Sequence, residues 1–241
     1  MIPFLQKRQK QDDARGDLSE RLVTLSDPSG AASEDYRTLR TSLFYAVIDT
    51  PPKVIVVTSP DTGEGKTTTC ANLAVVLAQD GKSTLVMDCD LRKPTMHRVF
   101  GLRNFYGLVK ALVGADEDQP EIWWQEPVSG LKVATSGPVP PNPAELLGSR
   151  RFADLLERAR EEFDYVLLDT PPIGLVSDPA ILATQGDGVL LVFDSQRTRK
   201  ESVREAVRNL ESVGAKVLGT VMNNVKTRKG GYYNYTYGHV Y

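Results

Sequence analysis

The fold is decided by one stretch of the sequence, VIVVTSPDTGEGKTTT at residues 54–69. It joins an apolar run of strand length to a glycine-rich turn and a Gly-Lys-Thr triplet, and the apolar residues 70–78 then fit a buried helix. A strand, a glycine-rich turn and a helix in this order are typical of a phosphate-binding loop. The backbone N–H groups of such a turn point together at the helix N-terminus, which makes a site for a polyanion. The stretch therefore predicts nucleotide binding.

The loop supplies side chains as well as backbone groups. Lys66 would reach the terminal phosphates, and the Thr67 hydroxyl would ligate Mg²⁺. The strict pattern also has a glycine at the position that Pro60 occupies, so the match is to a variant of the loop. The residues that we expect to contact the nucleotide are Gly63, Glu64, Gly65, Lys66, Thr67 and Thr68.

The composition limits the class of protein. A length of 241 residues suits one large α/β domain and is too short for two. The net charge of −2 and the absence of a basic run predict no binding of nucleic acid. The apolar stretches are only of strand length, and residues 1–10 lack the apolar core of a secretory signal. Cys70 and Cys89 lie in apolar surroundings, which favours reduced thiols and a cytoplasmic protein.

Three parts of the chain differ in composition. Residues 1–30 are polar without periodicity and predict a flexible arm, residues 31–226 have the pattern of a folded domain, and residues 227–241 predict a flexible tail. Near the start of the domain we expect a helix from Ser33, which can cap it, and the residue pair Pro51-Pro52 would end it.

Apolar runs alternate with helical patterns along the domain. The predicted strands after the first are 83–87, 165–168, 188–193 and 217–221, and the predicted helices are 107–113, 149–162 and 200–213, with residues 96–137 otherwise irregular. Because the strands are apolar on both faces, they predict an α/β fold: a mostly parallel sheet covered by helices on both faces, as in P-loop NTPases. Ligands of such sheets bind at the C-terminal ends of the strands.

A carboxylate stands at the end of one of these strands. Asp169 follows the apolar run 165–168, at the place where a Walker B carboxylate holds Mg²⁺ directly or through water. A turn or capping aspartate before Pro171 is the plainer alternative. The phosphate-binding loop upstream favours the metal-binding role.

Two further carboxylates follow the predicted strand 83–87. Asp88 and Asp90 point the same way if the strand geometry continues, with Cys89 on the opposite side. Two carboxylates at close range are costly unless a cation or a shared proton offsets their repulsion. Mg²⁺ would supply that charge, and one of the pair could accept a proton from an attacking hydroxyl; an acidic strand end facing water is the alternative. Arg92 would either contact phosphate or brace the loop, and the sequence leaves both open.

The end of the chain is rich in tyrosine. Of nine tyrosines, five fall in the last ten residues, interleaved with glycine and asparagine, a composition that cannot build a packed element. A partner-binding aromatic tail is one interpretation. Beside an ATP site, the sharper expectation is that these hydroxyls accept phosphate. They belong to Tyr232, Tyr233, Tyr235, Tyr237 and Tyr241.

These segments together resemble the bacterial tyrosine kinases (BY-kinases), in the form whose catalytic chain is separate from its membrane activator. The resemblance covers about residues 33–241. Residues 59–67 are similar to the family's modified Walker A, although Thr62 replaces a usual proline. Residues 85–92 resemble its Walker A′, and residues 166–172 resemble its Walker B.

The resemblance implies an activity and roles for individual residues. The chain would transfer the γ-phosphate of ATP to tyrosines of the tail, mainly on a neighbouring subunit. Lys66 would orient the phosphates. Mg²⁺ would be held by Thr67, Asp90 and Asp169, and Asp88 would deprotonate the tyrosine.

The resemblance also implies partners. Glu34, Arg37 and Arg40 match a Glu-x-x-Arg-x-x-Arg motif through which family members associate into rings. Glu34 and Arg37 are also simple helix neighbours, whose ion pair is worth only about 0.2–0.5 kcal/mol. A membrane activator of the polysaccharide chain-length-regulator type would recruit the chain to the inner face of the plasma membrane, within capsular or extracellular polysaccharide synthesis and export. A tyrosine phosphatase would act on it, and Asn223 is a candidate contact for adenine.

Two other functions share parts of this pattern. A switch ATPase of the septum-site or plasmid-partition type has the same fold and hydrolyses ATP without modifying protein. Such proteins carry a lysine early in the loop, where this chain has Asp61. A nucleotide-binding adaptor would use the aromatic tail to bind a partner and would catalyse nothing.

Overall fold

A computed structural model describes residues 20–46, 51–114 and 124–226 of the chain. The strands are β1 (Val54–Thr58), β2 (Thr84–Asp88), β3 (Gln125–Val128), β4 (Leu131–Ala134), β5 (Tyr165–Asp169), β6 (Gly188–Asp194) and β7 (Val217–Asn223). Within these residues they form one seven-stranded sheet in the order β3-β4-β2-β5-β1-β6-β7. Only the β3–β4 pair is antiparallel in this sheet.

Helices connect and cover these strands. They are α1 (Val23–Ser26), α2 (Ala31–Phe44), α3 (Lys66–Gln79), α4 (Met96–Val99), α5 (Leu108–Val113), α6 (Pro143–Leu147), α7 (Arg150–Glu162), α8 (Asp178–Ala183) and α9 (Lys200–Ser212). The predicted α/β fold, a mostly parallel sheet between layers of helices, is confirmed.

Two apolar cores lie on opposite faces of the sheet. Along β1, Val54 and Val56 join the core formed with α7, α8 and α9, whereas Ile55 and Val57 join the core formed with α3. Side chains of a strand point alternately to its two faces. A strand covered on both faces is therefore apolar at every position, which is why β1 has no alternating pattern.

Helix α3, which follows the glycine-rich turn, is buried along most of its length. Residues 69–78 are all buried, so the predicted buried helix over 70–78 is confirmed. One side of α3 packs on the sheet, and α2 packs on another side. The helix is therefore held firmly, and its N-terminus keeps a fixed place at the C-terminal edge of the sheet.

The N-terminal segment packs on the domain further upstream than its composition predicts. Leu22 and Thr24 are buried. The backbone N–H and the hydroxyl of Thr24 both donate to Oδ1 of Asn72 in α3, at 3.1 and 2.9 Å. Residues 20–30 of the predicted arm are therefore anchored by a buried amide, which composition does not reveal. Residues 1–19 lie outside the described residues.

Helix α2 differs at both ends from the prediction. It begins at Ala31 and ends at Phe44, before the expected proline pair. The Ser33 hydroxyl does not cap it but donates to the carbonyl oxygens of Val23 and Asp27, at 3.1 and 2.6 Å. Ser33 therefore fastens the preceding turn to the helix, a tertiary contact that competes with the expected local cap.

The region predicted as irregular over residues 96–137 contains the hairpin of β3 and β4. Strand β4 pairs with β2, and β3 is a half-exposed edge strand that contains Pro127. A proline in a four-residue strand breaks the alternating pattern, and edge strands tolerate it because one side makes no ladder. The hairpin therefore gave no sequence signal.

None of the helices in the described ranges is both long and apolar enough to cross a membrane. The longest of them, α2 and α3, have 14 residues each, compared with the roughly 20 apolar residues that span a bilayer.

Candidate nucleotide and metal site

The three predicted segments meet at the C-terminal edge of the sheet. In the sheet register Asp88 of β2 is the partner of Asp169 of β5, and Asp169 lies beside Val57 of β1. Strand β1 runs on to Thr58 and then enters the glycine-rich turn. Because neighbouring strands lie about 4.8 Å apart, the two carboxylates and the turn share one small region.

The turn between β1 and α3 requires glycine at two positions. Gly63 and Gly65 have φ angles of +75° and +90°, in the region that favours glycine. The carbonyl of Gly65 accepts the N–H of Thr69 at 2.8 Å, which starts the hydrogen bonding of α3. A Cβ on Gly65 would lie 2.4 Å from Nδ2 of Asn223. The first N–H groups of α3 have no partner within the helix and are available to an anion.

Glu64 braces the turn from within. One carboxylate oxygen accepts the N–H of Asp61 at 2.9 Å, and the other accepts the hydroxyl of Thr198. Burial raises the pKa of Glu64, and these two hydrogen bonds oppose the rise only in part. The Thr198 hydroxyl also accepts the N–H of Asp194 at 3.0 Å. The turn is thereby joined to the loop that follows β6.

Lys66 lies among the predicted acidic residues. Its Nζ atom is 3.2 Å from Oδ2 of Asp90 and 3.9 Å from Oδ1 of Asp169. It also lies 3.3 Å from the hydroxyl oxygen of Thr67. Burial lowers the pKa of Lys66, but the charges of Asp169 and Asp90 more than offset this, and its pKa is raised. Lys66 is therefore a charged group in the middle of the site. Thr68, another predicted nucleotide contact, lies in the first turn of α3.

Asp88 and Asp169 are buried carboxylates that have oxygens without a hydrogen-bond donor among the described residues. Both are fully buried. Oδ2 of Asp88 accepts the N–H of Met96 at 3.0 Å, but Oδ1 of Asp88 and both oxygens of Asp169 have no hydrogen-bond partner among the described residues. Burial raises the pKa of Asp169 to about 6 against the opposing charge of Lys66. Burial and the charge of Asp169 raise the pKa of Asp88 well above its usual range.

These residues fit a Mg²⁺ site in which the protein supplies only some of the ligands and phosphate and water supply the rest. Among the described residues, no group of three or more His, Cys, Asp and Glu side chains is arranged to hold a metal ion. Mg²⁺ usually binds through one or two carboxylates, phosphate oxygens and water. The unpartnered oxygens of Asp169 and the hydroxyl of Thr67 match that set of donors.

The predicted alternation after β2 is present. Cys89 packs in the core with Met87, on the face opposite α3, whereas Asp90 reaches Lys66. The second oxygen of Asp90 accepts the N–H of Lys93 at 3.0 Å. Asp90 is thus held at both oxygens, and its predicted bond to a metal stays a prediction.

Arg92 braces the loop, which was one of the two roles that the sequence left open. Its Nε and Nη2 atoms donate to the two oxygens of Asp178 at 2.8 and 2.9 Å. Asp178 is the first residue of α8 and is fully buried. These two hydrogen bonds hold the Nε and Nη2 side of the guanidinium group against the start of α8.

Asn223 lies against the turn. Its Nδ2 atom donates to the carbonyl of Glu64 at 2.8 Å and to the hydroxyl of Thr69 at 3.3 Å. The donor that a contact with adenine would use is thus engaged with the protein, and that contact stays a prediction. The five tail tyrosines lie outside the described residues.

The predicted ring motif lies on α2, away from the carboxylates. Arg37 forms an ion pair with Glu34 at 2.6 Å on the surface. Arg40 contacts the end of α3: it donates to the carbonyl of Val76 at 3.1 Å and lies 3.2 Å from Asp80. The third residue of the motif therefore has a contact within the chain as well.

Sequence reasoning missed three residues of this region. Asp194 stands at the end of an apolar strand, as Asp169 does, and that signal could have found it. Thr198 and Asp178 act through contacts 134 and 86 residues away along the chain, so no local pattern marks them.

A glycine-rich turn between a strand and a helix, beside carboxylates on the adjacent strand ends, defines a P-loop nucleotide-binding domain. Residues 55–235 match the family described as the CobQ/CobB/MinD/ParA nucleotide binding domain. The structure of the septum-site-determining protein MinD from Pyrococcus horikoshii OT3 has the same fold. Its TM-score is 0.60 at 23% identity, over 70% of this chain and 69% of that one.

Closer likenesses are to kinases. Tyrosine-protein kinase YwqD of Bacillus subtilis is 43% identical over 92% of this chain and 93% of its own length. The putative tyrosine-protein kinase CapB of Staphylococcus aureus is 36% identical over 88% and 92%. The kinase domain of Escherichia coli tyrosine kinase ETK has a TM-score of 0.82 at 34% identity, over 90% of this chain and 85% of that one. The chain belongs to the bacterial tyrosine kinase (BY-kinase) family.

Proposed function

We propose that this chain transfers the γ-phosphate of ATP to tyrosine and that its own tail is a substrate. The observation that supports this most is that β7, the strand preceding the tail, ends beside the turn, where Asn223 donates to the carbonyl of Glu64 at 2.8 Å. Tyr232 follows nine residues later, and nine extended residues span at most about 30 Å. A short length of chain thus connects the first proposed phosphate acceptor to the proposed nucleotide site.

Mg²⁺ is the metal that we assign to this site, held by Thr67, Asp169 and Asp90. When bound with ATP, it would neutralise charge on the phosphate oxygens. The unpartnered, buried oxygens of Asp169 support its role as a ligand. Asp90 has partners at both oxygens, so it joins the site by giving up Lys66 or by acting through water.

In this proposal Lys66 contacts the carboxylates without nucleotide and the phosphates when nucleotide is bound. Its ammonium group neutralises Asp90 and Asp169 in the described structure. A bound metal would take over that neutralisation, and Lys66 would then contact the phosphates. The backbone N–H groups of Gly63, Glu64, Gly65 and Thr68 would hold the remaining phosphate oxygens.

Asp88 is the proposed base that takes the proton of the tyrosine hydroxyl. A raised pKa suits a carboxylate for that task at neutral pH, and burial with the charge of Asp169 supplies the rise. Its Oδ1 atom has no hydrogen-bond partner within the described residues. Because Asp88 is fully buried, the segment after β2 must move to admit the phenol.

Transfer between subunits is the proposed route. The reach of the tail permits transfer to its own site and to that of a neighbour. Mixing two variants distinguishes these routes: Lys66→Ala with an intact tail, and an active chain whose five tail tyrosines are replaced with phenylalanine. Label on the Lys66→Ala chain demonstrates transfer between subunits, and no label on either chain contradicts it.

Glu34, Arg37 and Arg40 are the proposed contacts of a ring of subunits. The exposed Glu34 supports this assignment for one end of the motif. A membrane activator of the chain-length-regulator type would recruit the ring to the cytoplasmic face of the plasma membrane and regulate capsular or extracellular polysaccharide synthesis and export. A tyrosine phosphatase would reverse the modification.

Incubation with γ-labelled ATP and Mg²⁺ tests the proposed activity. We expect label on tyrosine, and it should be lost in Lys66→Ala. Release of free phosphate without labelled protein would instead support a switch ATPase. The assay is run with and without the cytoplasmic segment of the activator, because the chain is expected to need it. If neither labelled tyrosine nor free phosphate forms, with or without the activator segment, the result would support the nucleotide-binding adaptor.

A further inference from the structure

The ion pair between Arg92 and Asp178 joins two loops that carry the acidic residues of the site. Arg92 follows Asp90 by two residues, in the segment after β2. Asp178 ends the segment that leads from Asp169, the last residue of β5, to α8. The pair therefore connects the loop of one proposed metal ligand to the loop of the other.

The geometry of this pair is specific. Two separate donors of the guanidinium group meet the two oxygens of one carboxylate, at 2.8 and 2.9 Å. Such a bidentate pair fixes the orientation of both groups, which a lysine cannot reproduce. Asp178 is fully buried, whereas the side chain of Arg92 is 39% exposed. Within the described residues, Arg92 is the hydrogen-bond partner of both Asp178 oxygens.

The ion pair is also connected to Asp90 through the backbone. Asp90 is held by the N–H of Lys93 at 3.0 Å, and Lys93 is the residue after Arg92. Movement of the Arg92 backbone would move that donor. The hydrogen bond with Asp178 raises the pKa of Arg92, and the charges of Asp178 and then Asp90 add to the rise.

Building on the proposed function, we propose that Arg92 and Asp178 are positioning residues that set the distance between Asp90 and Asp169 for Mg²⁺. In this role neither side chain would contact the nucleotide or the tyrosine. Loss of the pair lets the two loops separate, so the protein still folds and binds nucleotide but needs more Mg²⁺ to do so.

A titration of Mg²⁺ measures this role without requiring phosphoryl transfer. The full chain is mixed with a fluorescent ADP, and binding is followed as Mg²⁺ is added. Arg92→Lys and Asp178→Asn should raise the half-saturating Mg²⁺ concentration about 10- to 100-fold, as changes to residues that support metal ligands do.

A control uses another ion pair between arginine and aspartate. Nη1 of Arg160 contacts the two oxygens of Asp187 at 2.7 and 2.8 Å. Asp187 also accepts the N–H of Val54 at the start of β1, so this pair lies at the opposite edge of the sheet. Arg160→Lys should lower the melting temperature without changing the Mg²⁺ requirement.

A neutral double variant separates positioning from stability. Arg92→Met combined with Asp178→Asn removes the buried charge, so it should regain melting temperature relative to Arg92→Met alone. Its Mg²⁺ requirement should stay raised. Recovery of both properties, or shifts no larger than that of Arg160→Lys, would overturn the proposal. Mg²⁺-dependent binding of ADP by a chain that labels no tyrosine would refute the kinase activity and leave this proposal standing.

Discussion

Asp88 and Asp169 face each other at the last paired position of two parallel strands, and solvent reaches neither of them. Two buried carboxylates at this distance repel each other, and that repulsion is among the causes of the raised pKa of Asp88. Lys66 is the cation that offsets the charge of Asp169, at 3.9 Å. The strand ends thus hold an arrangement that requires positive charge, which is what a bound Mg²⁺ ion would supply.

The first prediction concerns Asp169 and pH. Its pKa of about 6 in the folded protein exceeds the ordinary value of 3.8, so the folded state binds more protons than the unfolded state between those two pH values. Without Mg²⁺, this residue therefore contributes less to stability as pH rises through 6. Asp169→Asn should raise the free energy of unfolding at pH 8 by up to about 3 kcal/mol, since each pKa unit is worth about 1.4 kcal/mol. The gain should vanish below pH 4.

Urea unfolding across this pH range, without Mg²⁺, provides the measurement. Asp154→Asn, on the exposed side of α7, is the control and should change the free energy of unfolding by less than about 0.5 kcal/mol. If Asp169→Asn is less stable than wild type at pH 8, the buried charge of Asp169 does not lower the stability of the folded protein, and the prediction is wrong.

The second prediction concerns the glycine before α3. Gly65→Ala would place a Cβ 2.4 Å from Nδ2 of Asn223 at a φ of +90°, so we expect loss of nucleotide binding and of stability. Gly81→Ala is a matched control, because Gly81 has a φ of +78° with nothing within 4 Å. It should cost only the backbone strain of about 1 kcal/mol. Fluorescent ADP binding and thermal unfolding would distinguish them, and equal effects would exclude the contact with Asn223 as a cause.

The third prediction separates the two arginines of the ring motif. Arg40→Ala removes a donor to the carbonyl of Val76 and an ion pair with Asp80 at the C-terminal end of α3. It should lower the free energy of unfolding by about 1 kcal/mol. Arg37→Ala removes an ion pair with Glu34 and a hydrogen bond to the carbonyl of Pro28. Both contacts are exposed to solvent, so it should cost less, about 0.5 kcal/mol.

Light scattering after size exclusion gives the oligomer mass of each variant. If both arginines hold the ring, both substitutions should lower this mass, and only Arg40→Ala should also lower the melting temperature clearly. Unchanged mass in both variants would remove the ring assignment from α2.

The fourth prediction concerns the segment that precedes α2. Thr24→Val removes the buried hydroxyl that donates to Oδ1 of Asn72 at 2.9 Å. It should cost about 1 kcal/mol, because the amide oxygen keeps the backbone N–H of Thr24 as a donor. Thr41→Val removes an exposed hydroxyl that bonds only locally, to the carbonyl of Arg37. Chemical unfolding should show a much smaller effect for this control. Equal, small effects would mean that the Thr24 hydroxyl does not contribute to the anchoring of this segment.

The sequence predicted the elements whose signals are local. The turn at Gly63 and Gly65, the buried helix after it, and the carboxylates at Asp88 and Asp169 all follow from residue type and spacing. Their meeting at one edge also followed, because parallel strands place their C-terminal ends together.

Contacts between segments that are distant along the chain could not be predicted from the sequence. The bond of Thr24 to Asn72, the brace of Glu64 by Thr198 and the pairing of Arg92 with Asp178 each depend on the folded arrangement. The hairpin of β3 and β4 was missed for a different reason, since Pro127 in an edge strand breaks the alternating pattern. Local patterns thus identified the residues that would meet phosphate and metal but not those that hold them in place.

Mapping phosphate on the intact chain tests the central claim most directly. Purified protein is incubated with ATP, Mg²⁺ and the activator segment, digested, and examined by mass spectrometry beside Lys66→Ala. We predict phosphate on tyrosines within residues 232–241 of the wild type and none on the variant. An unmodified tail in active conditions, or equal modification of Lys66→Ala, would contradict the account.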